Sequence, residues 1–306
     1  MSNPFKNRVY GCAIIKSINS NYNADFSGQP RTLPNGIVYA TDKALKWSIR
    51  NYLKKLLGEK VLYSKYLNKD MMPEDLVGLY KVTFNTEVKN DSKEIVLKNL
   101  LSVLDVKLFG ATFAPKGTGI DKKNISIHGT CQISHGVNRF DESIIYSEQI
   151  LAPFTTPGDE GEAAKGNTTL GTQSRLAEGH YVHHFSVNPK NIEADVERVK
   201  ADPLSETDID KLKEGLRKGV SYYDSAAKIG TDNECLVWVQ LKADSKAIFP
   251  SFVELVKVND KKEIDFAGIS TVLAKHGADI EKIELFYDQT NTKVINAPTG
   301  AVVLDI

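Results

Sequence analysis

The sequence has little of what cofactor, redox or membrane chemistry leaves behind. Its 306 residues include three cysteines, Cys12, Cys131 and Cys235, odd in number, far apart, and each in or beside an apolar run. With no CxxC spacing for zinc or redox work, they read as reduced core residues in a cytoplasmic protein. There is no GxGxxG, and the turn Pro115 to Gly119 (PKGTG) lacks the GK[ST] ending and following helix of a phosphate-binding loop. No apolar stretch reaches the roughly 18 residues that span a bilayer. The opening MSNPFKNRVYGCAII lacks a signal peptide's long apolar centre and cleavage site, so neither a membrane nor a secreted location is expected. Net charge is missing too: 39 Lys and Arg balance 39 Asp and Glu, which argues against a strongly basic nucleic-acid binder.

What is present is an ordinary folding composition, 41% hydrophobic and 25% charged. A chain of this length builds a core without disulfide or metal staples, as one or two domains or one large domain with insertions. The charge is unevenly spread. Residues 1 to 60 carry ten basic and three acidic residues, against 29 and 36 in the remainder. The positive field therefore sits at the N-terminal end, where an anionic partner would be drawn.

Val9 to Ile18 (VYGCAIIKSI) reads as a mostly buried strand. Asn19 to Gly36 is crowded with Asn, Gly and Pro, and its length marks it as a candidate functional loop. Thr41 or Asp42 then caps a helix with Leu45, Ile49, Tyr52, Leu53 and Leu56 facing the core. Lys43, Lys46, Arg50 and Lys54 form a basic stripe beside them, which without other evidence is a solvated face. A helix is expected near Pro73 to Leu79 within a possible inserted subdomain over 58–100, another from Leu100 ending at Gly110, and a strand over Ile125 to Ser134. The stretch Leu151 to Gly179 is a long loop or extended hairpin, acidic in its first half. A strand follows at Gly179 to Val187, then a helix over Ser205 to Lys228 opened by a capping box. Strands are expected at Cys235 to Leu241, Phe252 to Val258 and Ile283 to Tyr287, with a helix over Phe266 to His276. The fold class is α+β, with no internal repeat.

Two clusters suggest catalysis on inspection. In His180, His183 and His184 (HYVHH) the neighbours favour a strand, which points His183 away from the other two and sets His180 and His184 about 13 Å apart, too far to share an ion. They read as structural or RNA-facing histidines, and no metal site is expected. Ser134, His135 and Asp141 form a triad on paper only, because no GxSxG elbow accompanies them.

The segment Asn19 to Tyr52, NSNYNADFSGQPRTLPNGIVYATDKALKWSIRNY, is the specific part. It resembles the guide-RNA (crRNA)-binding backbone subunit of type I CRISPR effector (Cascade) complexes, in the Csh/Csd branch of the DevR-like family. There a first strand leads into an Asn- and Asp-containing loop, a PR dipeptide, a Gly, and a helix beginning TD and carrying LKRxIRxY. Here the loop is Asn19 to Asp25, the dipeptide Pro30 and Arg31, and the helix supplies Thr41, Asp42, Leu45, Lys46, Ile49, Arg50 and Tyr52, with Trp47 where the family often has Arg. Asp105 to Phe113 (DVKLFGATF) is similar to the family's DxRLFG segment. Ile127 to Ser134, with Gly136 and Arg139, resembles a later strand, and Leu170, Gly171 and Tyr181 to Pro189 resemble the segment closing the family's thumb.

The resemblance implies one RRM-like (ferredoxin-like) palm across residues 1–306, a helical finger over about 58–100 and a β-hairpin thumb over about 151–179. It implies a non-catalytic subunit without cofactor or metal, copies of which stack as a filament on a guide RNA and display it to target DNA. Lys46 and Arg50 would hold the sugar-phosphate backbone, which binds without reading sequence. The full RNA-facing set is Asn21, Asn23, Arg31, Lys43, Lys46, Arg50, Lys116, Arg139, Thr169, Gly171 and Arg175. Further partners would be other effector subunits and a recruited helicase-nuclease or, in transposon-associated systems, transposition proteins. Two alternatives stand beside it: a metal-dependent RNase using Asp25, and a generic single-stranded RNA-binding protein.

Overall fold

The computed structural model describes residues 3–117, 119–151 and 170–306. The chain opens with β1 (Val9–Ser20), β2 (Tyr39–Ala40) and α1 (Asp42–Lys55). A helical stretch follows, α2 (Leu76–Phe84), α3 (Lys93–Leu101) and α4 (Leu104–Phe109), with a two-stranded ribbon, β3 (Ala111–Phe113) and β4 (Ile125–Ile127). Next come β5 (Cys131–Asn138), β6 (Ile145–Leu151), β7 (Leu170–Val187), α5 (Glu193–Val199), α6 (Glu206–Lys218) and β8 (Thr231–Leu241). The last part holds β9 (Lys257–Val258), β10 (Glu263–Asp265), α7 (Ala267–Ala274), β11 (Ile280–Tyr287), β12 (Lys293–Ile295) and β13 (Ala301–Leu304).

The main sheet runs β13-β11-β8-β1-β7-β5-β2, with β6 paired to β7. All its pairings are antiparallel except β11 with β13. β1 is central because both its faces are apolar. Val9, Ala13 and Ile15 join a core with Leu45, Ile49 and Leu53 of α1 and Ile209, Leu212 and Leu216 of α6. Tyr10, Cys12 and Ile14 face the opposite way, into a core with Phe252, Phe266 and Ile269 of the C-terminal part. All three cysteines are free and buried. A third core, from Leu62 to Ile127 with Ile192, holds the helical stretch together. Gly11 has to be glycine: a Cβ there would lie 2.2 Å from the Val237 carbonyl oxygen and 2.4 Å from the Phe185 ring.

Several expected elements change on folding. The helix expected over Leu100 to Gly110 is two helices, because Val103 takes an extended conformation between α3 and α4. Gly110 then stops α4 at φ 77°, and a Cβ on it would meet the Ile127 carbonyl oxygen at 2.3 Å. The strand expected over Ile125 to Ser134 breaks into β4 and β5, since Gly129 lies against the Gly110 backbone. The helix from Ser205 has its capping box with Asp208 but ends at Lys218, not Lys228. Asn233 of β8 draws the chain out of the helix by accepting from the N–H groups of Val220 (2.9 Å) and Ser221 (3.0 Å). Phe252 to Val258 is a 3-10 turn and a two-residue strand.

Candidate nucleic-acid interface

The Asn-rich loop after β1 is built from side chains that bond to its own backbone. Asn21 is buried and donates to the carbonyls of Gly28 (3.1 Å) and of Ser174 in β7 (3.2 Å). Asn23 Oδ1 accepts from the backbone N–H (2.9 Å) and hydroxyl (3.0 Å) of Thr41. Thr41 is therefore the N-cap of α1 by position without a side-chain cap bond. Asp25 Oδ1 accepts from the N–H of Ser27 (2.8 Å), the Ser27 hydroxyl (2.7 Å) and the N–H of Gln29 (3.0 Å). These bonds, the Ser27 hydroxyl first, hold its carboxyl below the ordinary range. The loop thus stands as a braced platform, with Phe26 fully exposed at its tip and Arg31 partly buried at its base.

The α1 stripe is not a row of free cations. Lys43 extends into solvent and Lys46 is largely covered; both pair with Asp42, at 2.8 and 3.1 Å. Burial alone would raise the Asp42 carboxyl, but the bonds from Lys43 and Lys46 outweigh it and the net direction is down. Arg50 donates from Nε to Asp105 Oδ2 at 3.1 Å, and Asp105 is fully buried. Asp105 also accepts from the N–H groups of Leu62 (3.0 Å) and Tyr63 (3.1 Å), so one carboxylate ties α1, the chain after it and α4 together. The Arg50 guanidinium lies 5.0 Å from the Phe109 ring centroid and 5.5 Å from that of Tyr63. Lys54 turns to the Tyr66 ring, 3.6 Å away, and donates to Ser64.

The other expected residues are scattered. Arg139 donates to the Val256 carbonyl and pairs with Glu254 at 3.0 Å, on the side of the C-terminal part. Arg175 of β7 donates to the Asn19 carbonyl at 2.7 Å, bracing the hairpin against the loop after β1. Gly171 pairs with Ile150 in the same hairpin, and Thr169 lies outside the described residues. Lys116 lines a separate hollow with Glu74, Asp75 and Glu87. The structure thus brings together Asn21, Asn23, Arg31 and Arg175 at the loop, and Lys43, Lys46 and Arg50 on α1. Lys116 and Arg139 belong to neither group.

The three histidines lie on a strand as expected, and each has a structural partner. His180 is buried with Nδ1 2.6 Å from Glu234. His183 is buried between the Ser134 carbonyl, 3.0 Å from Nδ1, and the Tyr22 hydroxyl, 3.3 Å from Nε2. Burial pushes its pKa down to about 4, against the opposing pull of the Ser134 carbonyl. Among the described residues no helix is long and apolar enough to cross a membrane. Residues that the sequence reading left without a role are Tyr63, Phe109 and the buried Asp105. Asp105 and Phe109 stood inside the quoted DVKLFGATF segment, whereas nothing in the sequence marked Tyr63.

Residues 7–274 match the family model of CRISPR-associated protein Cas7. The chain belongs to the Cas7 family. Its fold is similar to a chain of a CRISPR RNA-guided surveillance complex in a pre-nicking state, with a TM-score of 0.58, 13% identity, and 98% of this chain and 96% of that one covered. It is also similar to a chain of another CRISPR RNA-guided surveillance complex, with a TM-score of 0.52, 15% identity and 95% of each chain covered. None of the curated proteins compared with the Cas7-family chain matches it.

Proposed function

We propose that the chain is a non-catalytic backbone subunit of a type I CRISPR effector complex, of the Csh/Csd branch, which binds guide RNA and displays it to target DNA. The observation that carries this reading is the position of Lys43, Lys46 and Arg50 along the helix that follows β1 and its braced loop, in a chain of the Cas7 family. Lysine and arginine on one helix face suit a phosphate backbone of any sequence. Membership in RNA-guided complexes among structurally similar chains supports the same direction.

In this reading the palm is RRM-like: β8-β1-β7-β5, all antiparallel, with α1 and α6 packed on one face. The finger is the helical stretch with its own core from Leu62 to Ile127, longer than residues 58–100. The thumb is the β6–β7 hairpin, whose base at Ser174 and Arg175 bonds to the loop after β1. Copies stack along the guide in the cytoplasm, beside other effector subunits and a recruited helicase-nuclease or transposition proteins. Three hydrogen bonds engage Asp25 Oδ1 within its own loop, which supports a structural rather than a metal-binding role for that carboxylate. The test is to purify the chain with its genomic neighbours and sequence the RNA that accompanies it. Discrete repeat-flanked guides are expected; heterogeneous cellular RNA, or none, would reject the reading.

A further inference from the structure

Beside Arg50 lies a shallow hollow of about 410 Å³ lined by Arg50, Tyr63, Phe109, Thr112, Ser126 and His128. Its floor is the β3–β4 ribbon, where Thr112 pairs directly with Ser126 and both side chains are exposed, as is His128 two residues on. Arg50 forms one wall. Because Asp105 holds its Nε and is itself held by the N–H groups of Leu62 and Tyr63, the guanidinium is oriented before any ligand arrives. The Tyr63 hydroxyl donates to the Thr112 carbonyl at 3.3 Å, which ties that ring to the ribbon.

The lining contains no carboxylate. Four other hollows among the described residues each bring at least one: Glu193, Glu281, Glu94 and Glu74 respectively. A fixed guanidinium, an imidazole and two hydroxyls on an acid-free surface suit an anion of phosphate geometry. The partly exposed Tyr63 ring at the edge adds a place for a planar base, whichever base it is, since every base has a π-face.

We infer that this hollow is a single-nucleotide subsite on the guide-RNA path, in which Arg50, Thr112, Ser126 and His128 meet a phosphate and the Tyr63 ring stacks on the attached base. The inference rests on the RNA-binding reading above and extends it from α1 to the β3–β4 ribbon. The subsite senses that a base is present and ignores which base it is.

Equilibrium binding of the full chain to an oligouridine, and to the same oligomer with abasic positions, tests it. Tyr63→Ala is expected to weaken binding about tenfold and Tyr63→Phe to leave it near wild type, because the ring supplies the stacking. His128→Gln is expected to weaken binding several-fold. Abasic substitution weakens the wild-type chain but leaves Tyr63→Ala little changed, since that variant has no ring to lose. If the wild-type chain binds RNA while folded Tyr63→Ala and His128→Gln bind equally well, the subsite is wrong and the broader function stands. Should Tyr63→Ala spare RNA affinity yet block association between copies, the hollow is a protein contact and the subsite is again overturned. A wild-type chain with no affinity for single-stranded RNA at low salt would overturn the functional reading itself.

Discussion

α1 and α6 lie side by side on one face of the sheet and are alike in sequence: both are amphipathic and basic, α1 with five Lys and Arg and α6 with four. Their counter-charges differ. On α6, Lys211 pairs with Glu59 at 2.6 Å and Lys218 with Glu214 at 3.7 Å, and both glutamates are partly exposed. Lys213 reaches Glu284 at 2.7 Å while lying against the Trp238 ring, and burial draws its pKa down. On α1 the acidic partners are covered: Asp42 lies well below Lys43 and as deep as Lys46, and Asp105 is fully buried beneath Arg50. An external anion approaching α1 therefore meets the exposed Lys43 before the Asp42 carboxylate, whereas on α6 Lys218 and Glu214 are both partly exposed. The lesson is that a basic stripe acquires meaning from where its acids lie, which no helical wheel shows.

The largest effect that sharpens this contrast belongs to Asp105. Asp105→Ala leaves the Arg50 guanidinium and two backbone N–H groups without their acceptor, and should cost about 3–5 kcal/mol in chemical denaturation. Glu59→Ala removes a partly exposed partner of α6 and should cost no more than about 1 kcal/mol. Equal losses would erase the distinction between the two helices. The same geometry means that Lys46→Ala with Arg50→Ala would lower stability as well as any RNA affinity, since removing Arg50 strands the buried Asp105.

Next in size is the contact between the helices. They approach closely because Gly215 has no side chain: a Cβ there would lie 2.9 Å from Ile49 Cγ2. Gly215→Leu should destabilise the chain by about 1–3 kcal/mol through overpacking, seen as a lowered denaturation midpoint. A neutral result would mean that α6 shifts freely without disturbing α1.

A smaller effect is pH-dependent and belongs to the α1 side. His183 sits under the loop leading to α1, where burial, opposed by the Ser134 carbonyl and Asp42 and aided by His135, lowers its pKa from 6.5 to about 4. The folded chain keeps it neutral, while the unfolded chain takes up a proton near 6.5. The stability it contributes is therefore complete above about pH 6.5 and declines as pH falls toward about 4. The difference in unfolding free energy between wild type and His183→Gln should shrink over that window in denaturation curves. A constant gap would contradict the burial argument.

Much of the fold was legible because β1, α1, β8 and the start of α6 carry strong patterns: two apolar faces, a 3.6-residue stripe, an apolar run and a capping box. Most of the losses involve a partner distant in sequence. Asp105 meets Arg50 from 55 residues away, Asn233 ends α6 from a later strand, and Gly110 meets Gly129 across a turn. At the site, the loop and the stripe were legible as motifs, but the roles of Asn21 and Asn23 as internal braces were not, because an asparagine that bonds its own loop and one that bonds RNA look the same in sequence. Tyr63 was invisible for a related reason: only the fold places it beside Arg50 and Phe109.

Binding of a phosphate backbone by the α1 face, as proposed above, is read from the salt dependence of single-stranded RNA affinity for wild type and Lys46→Gln. Glutamine keeps a donor for Asp42 while removing the charge, so the fold is preserved. Weaker binding is expected, with the slope of log affinity against log salt reduced by about 0.7, the value of one phosphate contact on a single strand. Unchanged affinity with an unchanged slope, in a variant with wild-type stability, would contradict it.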